Sequence, residues 1–323
     1  MAVLSIDFGG TVIKLGLVEA GRILSTVKIP AQSDRSLEDR LPEIERIIKK
    51  ICYDFGIAPC DCAGIAVGFP AMVDNYNAHI LNCFGKFPGA PNVDLKKWAQ
   101  KSFGLSLAIE NDARLATIGE WQYGAGMGCE NLVMMTLGTG IGTGVICEGR
   151  VLRGKNGQAG CVGGHMTVNY NGPQCSCGNI GCAEVEASSV TLEDRVKELT
   201  GFSKSSLSDL SRIDYKAVFD LARDNDRLAK EIAEHSIITW AFTAINLIHA
   251  YDPEILILGG GIMKASDYIL PRIDSYIRNH IISTGISPAK ISLAKLGNNA
   301  ALAGGEWILK DGEDKSYSIG QPT

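Results

Sequence analysis

The chain has 323 residues, 46% of them apolar, with 31 basic and 36 acidic side chains and a formal net charge of −5. That length exceeds what one compact core usually organises, so two domains are expected, and the scattered Lys and Arg argue against a nucleic-acid partner. No apolar run approaches the ~20 residues of a membrane helix, and the N-terminus, Met-Ala-Val-Leu-Ser-Ile-Asp, lacks the regions of a secretory signal, so the expected location is cytoplasmic.

Val3 to Ile6 reads as a short buried strand, Asp7-Phe8-Gly9-Gly10 as a turn, and Val12 to Val18 and Ile23 to Ile29 as strands joined at Ala20-Gly21. Helical periodicity follows over Leu37 to Tyr53, then an apolar strand over Ala63 to Phe69 that ends at Pro70. Leu107 to Ile109 is a short strand that delivers Glu110-Asn111-Asp112 in front of a helix over Ala113 to Trp121. The opening pattern then returns: strand Leu132 to Leu137, turn Gly138-Thr139-Gly140-Ile141-Gly142, strand Thr143 to Cys147, turn Glu148-Gly149, and a strand starting at Val151-Leu152. Helices are expected over Tyr215 to Asp224 and Arg227 to Tyr251, the second stopped by Asp252-Pro253, and Glu254 to Leu258 is a strand ending in Gly259-Gly260-Gly261. The repeated grammar predicts an internally duplicated α/β chain whose two halves face each other across a cleft. From Asp311 to Thr323 the chain is polar and reads as a frayed end.

Glycine turns that follow strands let backbone N–H groups approach an anion, because no Cβ obstructs them, and phosphate is the natural guest. Each turn leads into a strand, which excludes a Walker loop and a dinucleotide-binding turn, since both must open a helix. Asp7-Phe8-Gly9 spells the magnesium motif of protein kinases but has none of its companions and is read as accidental. Ordinary hairpin glycines are the competing explanation. Asp7 could hold Mg²⁺ through water or simply cap its turn. Asp112, at a strand end, could accept the proton of an alcohol during phosphoryl transfer, with Asn111 orienting the same substrate; an Asp before a helix is also a common N-cap.

His165, Cys175, Cys177 and Cys182 form H-x9-C-x-C-x4-C in a glycine-punctuated stretch, a one-His, three-Cys tetrahedral set for a structural zinc with no open position. Free cysteines beside an unrelated His would be the plainer explanation. Cys52, Cys83, Cys129, Cys147 and Cys161 show no comparable pattern, and Cys60-x-Cys62, with no partners nearby in sequence, is read as incidental.

Together, Asp7-Phe8-Gly9-Gly10-Thr11 with Lys14, Glu110-Asn111-Asp112, Leu137 to Gly144, the Gly164-His165 and Cys175-x-Cys177-Gly178-x-x-Gly181-Cys182-x-Glu184 segment, and Leu258 to Gly261 closely resemble the ROK family of repressors, open reading frames and sugar kinases. The resemblance runs from Val3 to about Gly305. It implies the actin-like ATPase (ribonuclease H-like) fold, with residues 1–112 plus about 301–323 as an N-terminal α/β domain and 113–300 as a C-terminal α/β domain that carries the zinc loop. It implies ATP and Mg²⁺ in the cleft, with Asp7, Gly9, Gly10, Thr11, Lys14, Gly138, Thr139, Gly140 and Gly142 as cofactor-binding residues, the phosphate turns lying at Gly9-Gly10 and Gly138 to Gly144, and adenosine lying against Gly259, Gly260 and Gly261. Asn111, Asp112, His165 and Glu184 match positions that hold a sugar, Asp112 also being the base for phosphorylation of a hexose hydroxyl. One departure bears on the sugar: the family commonly reads Glu-x-Gly-His, whereas here Cys161-Val162-Gly163-Gly164-His165 lacks the Glu and carries one extra residue. A glucose-like sugar and a homodimer are expected. A sugar-responsive repressor would carry a DNA-reading segment ahead of a first strand that here starts at Val3. A binding-only sugar sensor of the same fold and a kinase using polyphosphate as donor are the two remaining functions that these motifs would allow.

Overall fold

The computed structural model of the chain describes residues 1–282 and 289–311. Two compact units emerge, one from residues 1–128, 153–159 and Asn298 to the end of the described residues, the other from 129–152 and 160–297.

The first unit opens with β1 (Val3–Phe8), β2 (Val12–Glu19) and β3 (Arg22–Pro30), and continues through α1 (Leu37–Asp54), β4 (Ile65–Phe69), a small hairpin of β5 (Val73–Asp74) and β6 (His79–Ile80), α2 (Leu95–Phe103), β7 (Leu107–Asn111) and α3 (Asp112–Tyr123). Its sheet runs β3-β2-β1-β4-β7, an antiparallel meander extended by two parallel strands. Every residue of β1 and β4 is buried, as expected of central strands covered on both faces. On α1, Leu37, Leu41, Ile44, Ile48 and Ile51 fall at three- and four-residue spacing and turn inward, while Ser36 caps the first turn by accepting from Asp39 N. Phe8 and Phe69, from adjacent strands, meet Phe87 with ring centroids 5.5 Å away from it in each case.

The second unit comprises β8 (Leu132–Leu137), β9 (Ile141–Cys147), β10 (Arg150–Val151), α4 (Ala183–Ala187), α5 (Ser189–Glu198), α6 (Tyr215–Arg223), α7 (Arg227–Tyr251), β11 (Ile255–Gly259), α8 (Ser266–His280) and β12 (Lys290–Leu293). Its sheet runs β10-β9-β8-β11-β12 with the same directions as the first. Registers align as well: Asp7 pairs with Lys14 and Gly68, and Thr136 pairs with Gly142 and Gly259. The expected duplication is therefore present strand for strand.

The last helix, α9 (Ala300–Asp311), belongs to the first unit. It lies so close to α3 that a methyl added to Gly119 would sit 2.0 Å from the Ala300 carbonyl oxygen, and one added to Gly304 2.3 Å from that of Leu115. Beyond Asp311 the polar tail lies outside the described residues.

Candidate active site

β1 and β7 flank β4, so their ends bring Asp7 and Asp112 to either side of Gly68. A methyl on Gly68 would lie 3.5 Å from Asp112 Cα and 3.7 Å from Asp7 Oδ1, which places both acids around the space that this glycine leaves. Asp7 is buried, and Lys14, its cross-strand partner, donates to its Oδ2 at 2.7 Å. Asp112 is the first residue of α3, but the cap is Asn111, whose Oδ1 accepts from Arg114 N. The Asn111 amide donates to Ala71 O at 3.3 Å and to Asp112 Oδ1 at 3.2 Å, and Ala113 N donates to the same oxygen. Asn111 is thus engaged in aiming Asp112. Burial first, then the negative charge of Asp7, push the Asp112 carboxyl up to about 6, against the Ala113 N–H, Lys86 and Lys14. Lys86 had no sequence signal; it is set beside Asp112 because Phe87 is wedged between Phe8 and Phe69 and donates its N–H to Ser33 O.

Beneath Asn111, Glu110 is fully buried and paired to Arg114 at 2.6 Å and Arg153 at 2.8 Å, which together hold its carboxyl below the usual range despite burial. Arg114 also donates to the carbonyls of Gly157 and Ala159. This network fixes the strand end that presents Asn111 and Asp112. Neither partner was read from the sequence: Arg114 lies four residues on and Arg153 43 residues away.

In the first glycine turn, Gly9 N donates to Val12 O, and a methyl on Gly9 would lie 2.7 Å from that oxygen; Gly10 and Thr11 lie half-buried and exposed at its tip. In the second turn Gly138 N donates to Gly140 O, and a methyl on Gly138 would meet nothing within 4 Å, so the turn faces open space on that side. Thr139 and Gly140 complete the tip, and Gly142 lies in β9 opposite Thr136. Of the third group, Gly260 is required by the fold itself, with φ of 91° and Leu137 O only 2.2 Å from any added methyl, and Gly259 packs on Met134 and Ala294. Gly261 alone of the three faces open space. Glu184 extends from α4 to accept a hydrogen bond from Ile141 N at 2.9 Å.

His165, Cys175, Cys177 and Cys182 converge, their ligand atoms all within 4.8 Å of one another. A zinc tetrahedron with bonds of about 2.3 Å to sulfur requires sulfur–sulfur edges of about 3.8 Å; Cys177 and Cys182 are 3.7 Å apart, as are Cys175 Sγ and His165 Nδ1. A knuckle sets this geometry, with Gly178 at φ of 93° donating to Cys175 O and Cys175 donating to Asn179 O. The residues fit the metal. Gly163 and Gly164, part of the sequence departure before His165, lie directly on β9: a methyl on Gly164 would come 2.0 Å from Ile141 O. Burial, then the neighbouring Cys52 thiol, push the Cys62 thiol up to about 12, and among the described residues neither Cys60 nor Cys62 joins a group that could hold a metal.

A duplicated five-stranded α/β unit with a glycine turn between its first two strands, and a carboxylate at a strand end of one copy, defines the actin-like ATPase class of phosphotransferases and sugar-binding proteins. The model of the ROK family matches residues 3–312. A glucokinase of Thermotoga maritima is 33% identical over 319 residues, spanning 96% of this chain and 98% of that protein. The structure of a ROK glucokinase from Streptomyces griseus in complex with glucose and AMPPNP superimposes with a TM-score of 0.80 at 28% identity, covering 96% of this chain and all of that one. A ROK hexokinase from Thermus thermophilus gives 0.78 at 27% identity over the same share. The chain belongs to the ROK family.

Proposed function

We propose that this protein is a sugar kinase that moves the γ-phosphate of ATP onto a hexose hydroxyl, with Asp112 accepting the hydroxyl proton. The observation that carries the reading is the state of Asp112: a carboxyl oriented by Asn111 and raised to about 6 is ionised at pH 7 yet a stronger proton acceptor than an ordinary aspartate. Asp7, held by Lys14, is placed to bind Mg²⁺ through water, since that ion keeps several waters and uses one or two carboxylates. The turns at Gly9-Gly10-Thr11 and Gly138-Thr139-Gly140 offer backbone N–H groups to the phosphates, Gly142 keeping the strand behind the second turn free of a side chain, and Gly261 leaves room for the nucleoside. Zinc on the His165, Cys175, Cys177 and Cys182 set would fix the loop and, through Nδ1, the orientation of the imidazole. His165, Asn111 and Glu184 then address sugar hydroxyls. A glucose-like acceptor, cytoplasmic location and homodimeric assembly accompany this reading.

The test is ADP release from ATP and Mg²⁺ across glucose, fructose, mannose, allose, N-acetylglucosamine, N-acetylmannosamine and β-glucosides, with Asp112→Asn as control. Sugar-dependent turnover that disappears in the variant is expected. Silence from folded, zinc-loaded protein across the panel would overturn the kinase reading in favour of another donor or a binding-only role. Elemental analysis should find about one zinc per chain, lost in Cys177→Ala; unchanged metal would show that the ligand set is wrong.

A further inference from the structure

The second glycine turn does not stand alone. Its Gly138 carbonyl accepts from Ser189 N at 3.0 Å, its Thr139 carbonyl from Val190 N at 3.1 Å, and its Ile141 N–H donates to Glu184 Oε2 at 2.9 Å. A side chain on Gly140 would have to displace that carboxylate, whose Oε2 would lie 2.3 Å from its Cβ. Three successive peptide groups of the turn are thus fastened to one short segment, residues 184–190. That segment is itself mounted at both ends: Ala183 N donates to Met166 O at 3.0 Å at the start of α4, and the buried Trp240 donates to the Ala187 carbonyl at its end. A three-residue turn between two strands has little else to fix its peptide orientations, and a phosphate cradle works only when its N–H groups are already aimed.

From this lacing we infer that Glu184 is a positioning residue for the phosphate turn, holding the backbone of 138–141 in its anion-binding shape through Ile141 N–H, in addition to any contact it makes with sugar. The inference rests on the reading of 138–144 as a phosphate-binding turn. One side chain on the α4 segment then serves both substrates, and nucleotide affinity depends on it even when no sugar is present. A residue that touched sugar alone would leave sugar-free nucleotide binding unchanged.

The experiment is calorimetric titration of the full chain with Mg²⁺ and AMPPNP in the absence of sugar. Glu184→Ala should weaken binding by about 10-fold or more, the loss expected when a hydrogen bond to a charged acceptor is removed. Glu184→Gln, whose amide oxygen still accepts from Ile141 N, should stay within about 3-fold of the parent. Gly138→Ala tests the underlying reading, because its methyl enters open space without disturbing the chain; it should weaken nucleotide binding while leaving the melting temperature unchanged. If Gly138→Ala weakens binding and Glu184→Ala does not, the inference is overturned and the phosphate turn stands. If Gly138→Ala binds normally, the turn is not the phosphate site and both fail. Amide exchange at 138–141 separates positioning from general unfolding: it should quicken in Glu184→Ala with the rest of the second sheet still protected, and uniform loss of protection would also overturn the inference.

Discussion

The two sheets share strand order, direction and register, yet corresponding positions carry opposite chemistry. Where the first sheet has Asp7, the second has Thr136, and both β4 and β11 bear a glycine at the matching rung, Gly68 and Gly259. The neighbour of Gly68 on β7 is Glu110, and the neighbour of Gly259 past the end of β12 is Ala294, 3.2 Å from where a glycine methyl would point. Counting on, Leu296 stands at the place of Asp112. The fold supplies the same pedestal twice and acids are placed on one copy only. Duplicated scaffolds divide labour by side chain at the strand ends, which is why the fold alone does not reveal the chemistry.

Substitutions at paired positions can break this contrast. The largest effect is expected at Glu110→Gln, which leaves the buried Arg114 guanidinium without its partner and should lower unfolding free energy by about 3–5 kcal/mol in a urea titration; a loss under about 1 kcal/mol would mean that the network does not hold the strand end. Asp112→Asn should reduce turnover by about 10²-fold or more with a melting temperature like the parent's, so a near-normal rate would remove Asp112 as base. The pH profile is next. Because the Asp112 carboxyl is raised to about 6, kcat should fall roughly tenfold per pH unit below that value as the base becomes protonated, and level off above it. Lys86→Met removes a cation that favours the ionised form, so the acid limb should move to higher pH; a limb that stays put would show Lys86 to be idle. The smallest effect separates the twin glycines. Gly259→Ala meets mainly the flexible end of Met134 and should cost about 1 kcal/mol of stability or less, whereas Gly68→Ala crowds Leu115 at 3.0 Å beside both carboxylates and should be felt in turnover as well.

Much of this was legible because period-two apolar runs and glycine turns are local signals. The meander of β1–β3, its repeat at β8–β10, and helices α1, α3, α6 and α7 all fall where the pattern places them, within two residues at their ends. Five helices, α2, α4, α5, α8 and α9, gave no usable signal. Pro271 lies inside α8 and reads as a break, and α9 contains Gly304-Gly305, which lower helix propensity but let the helix sit against α3 and over Ser5. In the candidate site, sequence spacing pointed to Asp7, Asp112 and the His165, Cys175, Cys177 and Cys182 cluster that could hold a metal. Which of Asn111 and Asp112 caps α3, the Arg153 partner of Glu110, and the reach of Glu184 to Ile141 depend on distant chain segments meeting, and no local pattern encodes that.

The return of α9 to the first unit has a bearing on how the molecule is made. The helix covers β1 and β4, with Gly305 directly over Ser5 and Ala66, although it follows the whole second unit in sequence. During synthesis β1 and β4 therefore wait, one face uncovered, until α9 has left the ribosome, while the second unit already has its β8–β12 strands. Nascent chains stalled before Ala300 should accordingly be cut by protease within residues 1–128 and resist it across 160–280, and full-length release should close that difference.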